Sequence, residues 1–86
     1  MYKIEIVASA EKEMDKLGPE THQRISQKIL KLEQDPRPPK TSRRLAGDFE
    51  GYRLRVGDWR VLYTINAKTK TVLIYSIKHR REAYRR

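Results

Sequence analysis

Residues 52–63, YRLRVGDWRVLY, constrain this chain more than any other stretch. Two alternating runs flank Gly57-Asp58, which reads as a two-residue hairpin turn. Glycine at the first turn position supplies the positive φ of a type II′ turn, whose twist suits paired antiparallel strands. A two-residue loop also fixes the register. Val56 then faces Trp59, Arg55 faces Arg60, Leu54 faces Val61, Arg53 faces Leu62 and Tyr52 faces Tyr63. Side chains alternate faces along a strand. One face therefore carries Tyr52, Leu54, Val56, Trp59, Val61 and Tyr63, a core surface. The other carries Arg53, Arg55 and Arg60 beside Leu62. Two arginines directly across from one another repel and weaken a sheet. A fold that keeps them has an anion to place there.

The rest of the chain supplies what this hairpin packs against. Residues 2–7 alternate, with Tyr2, Ile4 and Ile6 on one face and Lys3 and Glu5 on the other, as in a half-exposed strand. Ser9 is positioned to cap a helix, with Glu11 and Glu13 near its positive end. Ala10, Met14 and Leu17 form its apolar stripe. Gly18-Pro19 reads as a glycine terminator followed by a proline at the first position of a second helix. That helix runs to about residue 35. Its stripe is Ile25, Ile29 and Leu32, widened by Leu30, and its outer face carries Arg24, Lys28 and Lys31. His22 lies on this helix at its surface or boundary.

Residues 36–51, PRPPKTSRRLAGDFEG, read as an irregular loop that Leu45 and Phe49 anchor to the core. Loops of this length in small domains are commonly functional. Residues 71–78, TVLIYSIK, are apolar on both faces along much of their length, which suits an interior strand. Sequential strands usually pair, so the strand from Trp59 should flank it and the N-terminal strand should be its other neighbour. The expected fold is α+β: one domain over residues 1–86, with a mostly antiparallel four-stranded sheet and a helical hairpin on one face.

Charge narrows the function. The formal net charge is +9, from 20 Lys and Arg against 11 Asp and Glu. Such a field attracts polyanions, including RNA, DNA, ribosomes or an acidic protein. There is no cysteine, so disulfides and thiolate metal sites are excluded. Two histidines do not make a zinc site, and Asp48, Glu50 and Asp58 are too scattered for a two-metal nuclease. No apolar run nears the roughly 20 residues of a membrane span. A cytoplasmic protein with no membrane partner is the expectation.

The basic residues cluster. Arg37, Lys40, Arg43 and Arg44 lie in the long loop and point to phosphates. The chain closes HRREAYRR, where Tyr84 can stack on a base while Arg81 and Arg85 meet flanking phosphates. Pairing of the last two strands brings His79 and Arg80 beside the Gly57 turn, toward Arg60. Arg53, Arg55 and Arg60 with His79, Arg80 and Tyr84 then suit binding and polarising a phosphodiester. RNA supplies its own nucleophile in the 2′-OH, so positioning, charge stabilisation and proton transfer suffice.

The hairpin GYRLRVGDWRVLY, the helical hairpin before it, the closing apolar strand and the terminal HRREAY resemble the RelE branch of the RelE/ParE toxin superfamily. The resemblance covers essentially the whole chain. It implies a toxin of a type II toxin–antitoxin module that enters the ribosomal A site and cuts mRNA through the 2′-OH, without metal or cofactor. It implies a RelB-like antitoxin partner, with the toxin monomeric alone and part of a hetero-oligomer when neutralised. It also implies roles. Arg53 and Arg55 match basic positions around the scissile phosphate, Arg60 the phosphate-stabilising arginine, Arg80 the leaving-group residue and Tyr84 the base-stacking tyrosine. The family often has lysine where Arg55 stands. Arginine stays charged, so the proton-transfer role falls to His79, with Glu50 a weaker candidate.

Two other functions fit the same residues. A ParE-like inhibitor of DNA gyrase would share the fold without RNA chemistry. A non-catalytic basic module binding RNA or ribosomes would keep the charge without the reaction.

Overall fold

A computed structural model describes residues 1–45 and 51–83. The described elements run β1 (Lys3–Ile6), α1 (Ala8–Asp15), α2 (Pro19–Lys31), β2 (Ser42–Arg44), β3 (Gly51–Val56), β4 (Trp59–Asn66), β5 (Thr71–His79) and α3 (Arg80–Ala83). The strands form a five-stranded sheet in the order β1-β5-β4-β3-β2. All neighbours are antiparallel except β1, which runs parallel to β5. The expected interior strand and its two neighbours are present.

The sheet has one strand more than expected. β2 lies inside the segment read as irregular, and it pairs with β3 at the sheet edge. Its three residues follow a proline-rich run that hides a short strand, and an edge strand needs only one ladder. Ser42 and Arg44 fall on the helix side of the sheet and Arg43 on the other.

The hairpin register follows the two-residue loop: Val56 pairs Trp59, Arg55 pairs Arg60, and so on to Tyr52 with Tyr63. Gly57 has φ +60°, while Asp58 is not among the residues with positive φ. That combination is the signature of a type II′ rather than a type I′ turn.

Three helix boundaries differ from expectation. Val7, not Ser9, precedes α1, and no side chain caps it. The strand carries on to Val7, whose N–H donates to Ile74 O at 3.0 Å, and Val7 O already accepts Glu11 N–H at 3.0 Å. Gly18 is extended (φ −63°, ψ 158°) instead of left-handed, because the residue before a proline is pushed out of helical space. Finally, α2 ends at Lys31, and Leu32, fully buried, begins a tighter turn with its N–H on Ile29 O.

The core lies between the helices and one face of the sheet. Ala10, Met14, Ile25, Ile29 and Leu32 meet Leu54, Val56, Val61, Tyr63, Val72, Ile74 and Ile77, all at most 5% exposed. Leu30 does not widen the stripe; it is 57% exposed. Tyr63 brings a hydroxyl into this core. It donates to Pro36 O at 2.7 Å and therefore accepts from Ser42 Oγ, also at 2.7 Å. Burial pushes the Tyr63 phenol above its ordinary pKa, and the Ser42 bond partly offsets this. The chain of bonds ties the start of the proline-rich segment to the sheet.

Between Leu62 and Tyr63 the β4–β5 register shifts, so Tyr75 of β5 has no residue opposite it. Beyond that bulge β1 has ended, and α1 covers the exposed edge of β5. Glu13 accepts from Ile77 N–H at 3.1 Å and pairs with Lys78 Nζ at 3.0 Å. A carboxylate thus satisfies an edge donor that would otherwise be open.

Candidate functional site

On the face of the sheet away from the helices, three adjacent strands place basic side chains side by side. Arg53 and Arg55 come from β3, Arg60 from β4 opposite Arg55, and Arg43 from β2 opposite Arg53. Lys40 and Thr41, just before β2, close one side. These six residues line a cavity of about 190 Å³, and no carboxylate is among them. Of the residues expected in the site, the structure brings Arg53, Arg55 and Arg60 together with Lys40 and Arg43.

Two of these arginines, Arg60 and Arg43, are held by backbone carbonyls. Arg60 is 8% exposed, and its Nη1 donates to Gly57 O and Trp59 O, each at 2.9 Å. Arg43 Nη1 donates to Pro39 O at 2.9 Å and Ser42 O at 3.1 Å. A carbonyl orients a guanidinium through its dipole without adding a formal charge. The hairpin turn is thus the scaffold of Arg60, and the loop before β2 is the scaffold of Arg43. Thr41 was missed because β2 was. The one available signal was the switch from the proline run to the alternation Thr41, Ser42, Arg43.

The other expected residues lie outside the cavity. His79 pairs with Trp59 across β4–β5, on the helix-side face, with its ring edge-on to the indole at 5.4 Å. Its Nδ1 accepts from Arg81 N–H at 3.4 Å, a long bond. The Tyr75 bulge is the reason for this placement. Val72 and Ile74 face the helices, and simple alternation would carry His79 to the arginine face; one extra residue moves it to the other. Arg80 is exposed beside the turn, its N–H donating to Asp58 O at 2.7 Å and its Nη1 3.7 Å from Asp58 Oδ1. Arg81 is exposed on α3.

Arg37 is engaged by Tyr52. Its Nε donates to the phenol oxygen at 3.0 Å and its guanidinium sits 5.5 Å from the ring centre, over a ring that stacks on Tyr63 at 5.6 Å. This hydrogen bond raises the Arg37 pKa further, so it is a permanent cation. Arg44 is exposed opposite Tyr52, on the same margin. Tyr84, Arg85, Glu50, Asp48 and Phe49 lie outside the described residues. Among the described residues, no three His, Cys, Asp or Glu side chains cluster as metal ligands. No helix among the described residues is long and apolar enough to cross a membrane.

The chemistry of this face is that of an anion receptor. Several planar, permanently charged forks converge from three strands, in a partly enclosed space that lowers the local dielectric and strengthens each contact.

Comparison with known proteins agrees with this fold. A family model described as the ParE toxin of the type II toxin–antitoxin system parDE matches residues 4–84. A protein of Methanocaldococcus jannaschii designated RelE1 is 29% identical over 86 residues, spanning 98% of this chain and 96% of the relative. The archaeal RelE–RelB complex from Pyrococcus horikoshii OT3 contains a chain 31% identical to this one, with TM-score 0.81 over 92% of this chain and 94% of that one. The isolated E. coli RelE toxin shares the fold at 21% identity and TM-score 0.79, over 92% of this chain and 84% of that one. The chain belongs to the RelE/ParE superfamily of type II toxin–antitoxin toxins, on its RelE branch.

Proposed function

We propose that this toxin is a ribosome-dependent endonuclease that cuts mRNA in the A site through the 2′-OH, without a metal. The observation that carries the reading is the cavity in which, among the described residues, Arg43, Arg53, Arg55, Arg60 and Lys40 converge with no carboxylate in its lining. A phosphodiester resolves the repulsion of the Arg55–Arg60 pair in the ground state. In the transition state the phosphoryl oxygens gain charge, and fixed guanidinium groups stabilise that charge more than the ground state. Arg60, locked by Gly57 O and Trp59 O, is the best pre-organised of them. Attack by the 2′-OH on the adjacent phosphorus breaks the bond to the 5′ oxygen; the 2′ proton is lost to water, water protonates the departing 5′ oxygen, and the products are a 2′,3′-cyclic phosphate and a 5′-OH. The ribosome then supplies an ordered RNA strand and the orientation for in-line attack.

His79 acts as a positioning residue in this scheme. From the Trp59 face it holds the start of α3 at Arg80 and Arg81. Tyr84 and Arg85 are proposed as the base-stacking and phosphate-binding residues. Arg37, Arg44 and Arg81 form an outer basic margin for RNA. A RelB-like antitoxin is the proposed off switch, forming a hetero-oligomer with a toxin that is monomeric alone. The support is that RelE chains of this fold from Pyrococcus horikoshii and Mycobacterium tuberculosis were solved with antitoxin.

The deciding experiment is mapping mRNA 5′ ends after brief induction in the cytoplasm of a test host. Codon-phased ends within translated regions are expected, and cutting by purified toxin on ribosomes should persist in EDTA. Intact mRNA on translating ribosomes would sink the reading. The ParE description of the matching family gives a second reading, gyrase inhibition. Lost supercoiling activity with intact mRNA would favour it.

A further inference from the structure

A second basic groove adjoins the arginine cavity and belongs to no role assigned above. Arg24 and Lys28 project from α2 four residues apart, on one face, and both are exposed. Their groove, about 460 Å³, is also lined by Thr41, Arg55, Gly57 and Asp58. Thr41 and Arg55 line the arginine cavity too, so the two spaces meet at these residues. Arg24 lies close over the hairpin turn: a Cβ on Gly57 would sit 3.2 Å from its Nη2. Among the described residues lining the groove, Asp58 is the one carboxylate, and Arg80 Nη1 lies 3.7 Å from its Oδ1. Cationic side chains thus run from the open sheet face, past Arg55 and round the turn, onto the helix layer. Like charges at i, i+4 on a helix repel, so Arg24 and Lys28 side by side are a cost unless an anion lies across them.

We infer that this groove carries the sugar–phosphate backbone of the RNA strand beyond the nucleotides in the arginine cavity, with Arg24 and Lys28 each contacting a phosphate. The inference rests on the proposed RNA reading but not on cleavage. A row of cations continuous with the arginine cavity suits a chain of phosphates. Val56, the apolar side chain that also lines the groove, is only 4% exposed and offers a protein segment little surface to anchor on.

The test measures binding of uncleavable 2′-O-methyl RNA to the full chain across a salt series. A short oligonucleotide fills only the cavity, and a longer one extends into the groove. Each phosphate contact to a single strand contributes about 0.7 to the slope of log K against log salt, so losing two makes it shallower by about 1.4. The double variant Arg24→Gln, Lys28→Gln should show that change with the longer RNA and none with the short one. The variant Arg24→Lys, Lys28→Arg should keep the wild-type slope. Equal slopes for wild type and the glutamine variant on the longer RNA would overturn the groove, including when that variant loses affinity for an acidic peptide instead. Equal loss on both lengths would overturn it as well, since only a general field is then at work. If wild type shows the length-dependent slope yet cuts no mRNA on ribosomes, the groove stands and the cleavage reading falls.

Discussion

On the helix side of β3 and β4, Leu54, Val56, Val61 and Tyr63 are at most 4% exposed and form the centre of the core. One residue along, on the opposite side of the same backbone, stand Arg53, Arg55 and Arg60. The first face is optimised for packing, where alternation and size suffice. The second violates a packing rule, since Arg55 and Arg60 are directly opposed and Arg43 opposes Arg53. Local rules that fail in an otherwise consistent fold mark functional places. The comparison teaches that the apolar face supplies the rigidity the charged face needs. Arg60 can be aimed by Gly57 O and Trp59 O only because the hairpin is clamped from behind.

Substitutions should separate the two faces. Leu54→Ala should have the largest effect, costing about 2–5 kcal/mol of stability through lost burial and a cavity, read from urea unfolding. An equally stable variant would show that the core face is not the clamp. Arg60→Ala should lower the rate of mRNA cutting on ribosomes by about 10²–10³-fold, as expected for a lost transition-state donor. Its stability should fall by about 1–3 kcal/mol at most, since Gly57 O and Trp59 O lose a donor; a loss of cutting no larger than the unfolded fraction explains would make Arg60 structural.

Tyr63→Phe should cost about 1–3 kcal/mol, because it strands Ser42 Oγ and Pro36 O in a buried site. It carries a pH signature too. Burial raises the Tyr63 and Tyr75 pKa values in the fold, so the contribution is complete below the unfolded value of about 10 and is lost as pH rises through the folded one. Wild-type stability should fall in that alkaline range, and less steeply in Tyr63→Phe. An unchanged alkaline profile would remove Tyr63 from the account. The smallest effect belongs to Arg55→Thr, expected to raise stability by about 0.2–1 kcal/mol by relieving the opposed pair while activity falls. A destabilised variant would mean that the pair does not repel.

The arginine face was legible because a two-residue turn leaves no freedom in register, and a period of two then assigns every side chain to a face. The reading was incomplete at His79. Strand pairing brings His79 to the Gly57 turn but does not say which face it takes, and nothing in TVLIYSIKH marks Tyr75 as the bulged residue that decides it. Strand β2 escaped because its evidence is a partner strand, not a pattern of its own. The direction of β1 was equally unreadable, since a half-exposed strand pairs in either sense.

By itself, then, the sequence determined the hairpin, its register and the sign of charge on each face, because these follow from local geometry at a fixed period. The tertiary structure decided which cations share one cavity, where the bulge turns His79, and how the Gly57 turn serves at once as the scaffold of Arg60 and the floor beneath Arg24. Those depend on contacts between residues far apart in the chain, and their energies arise only when the strands are side by side.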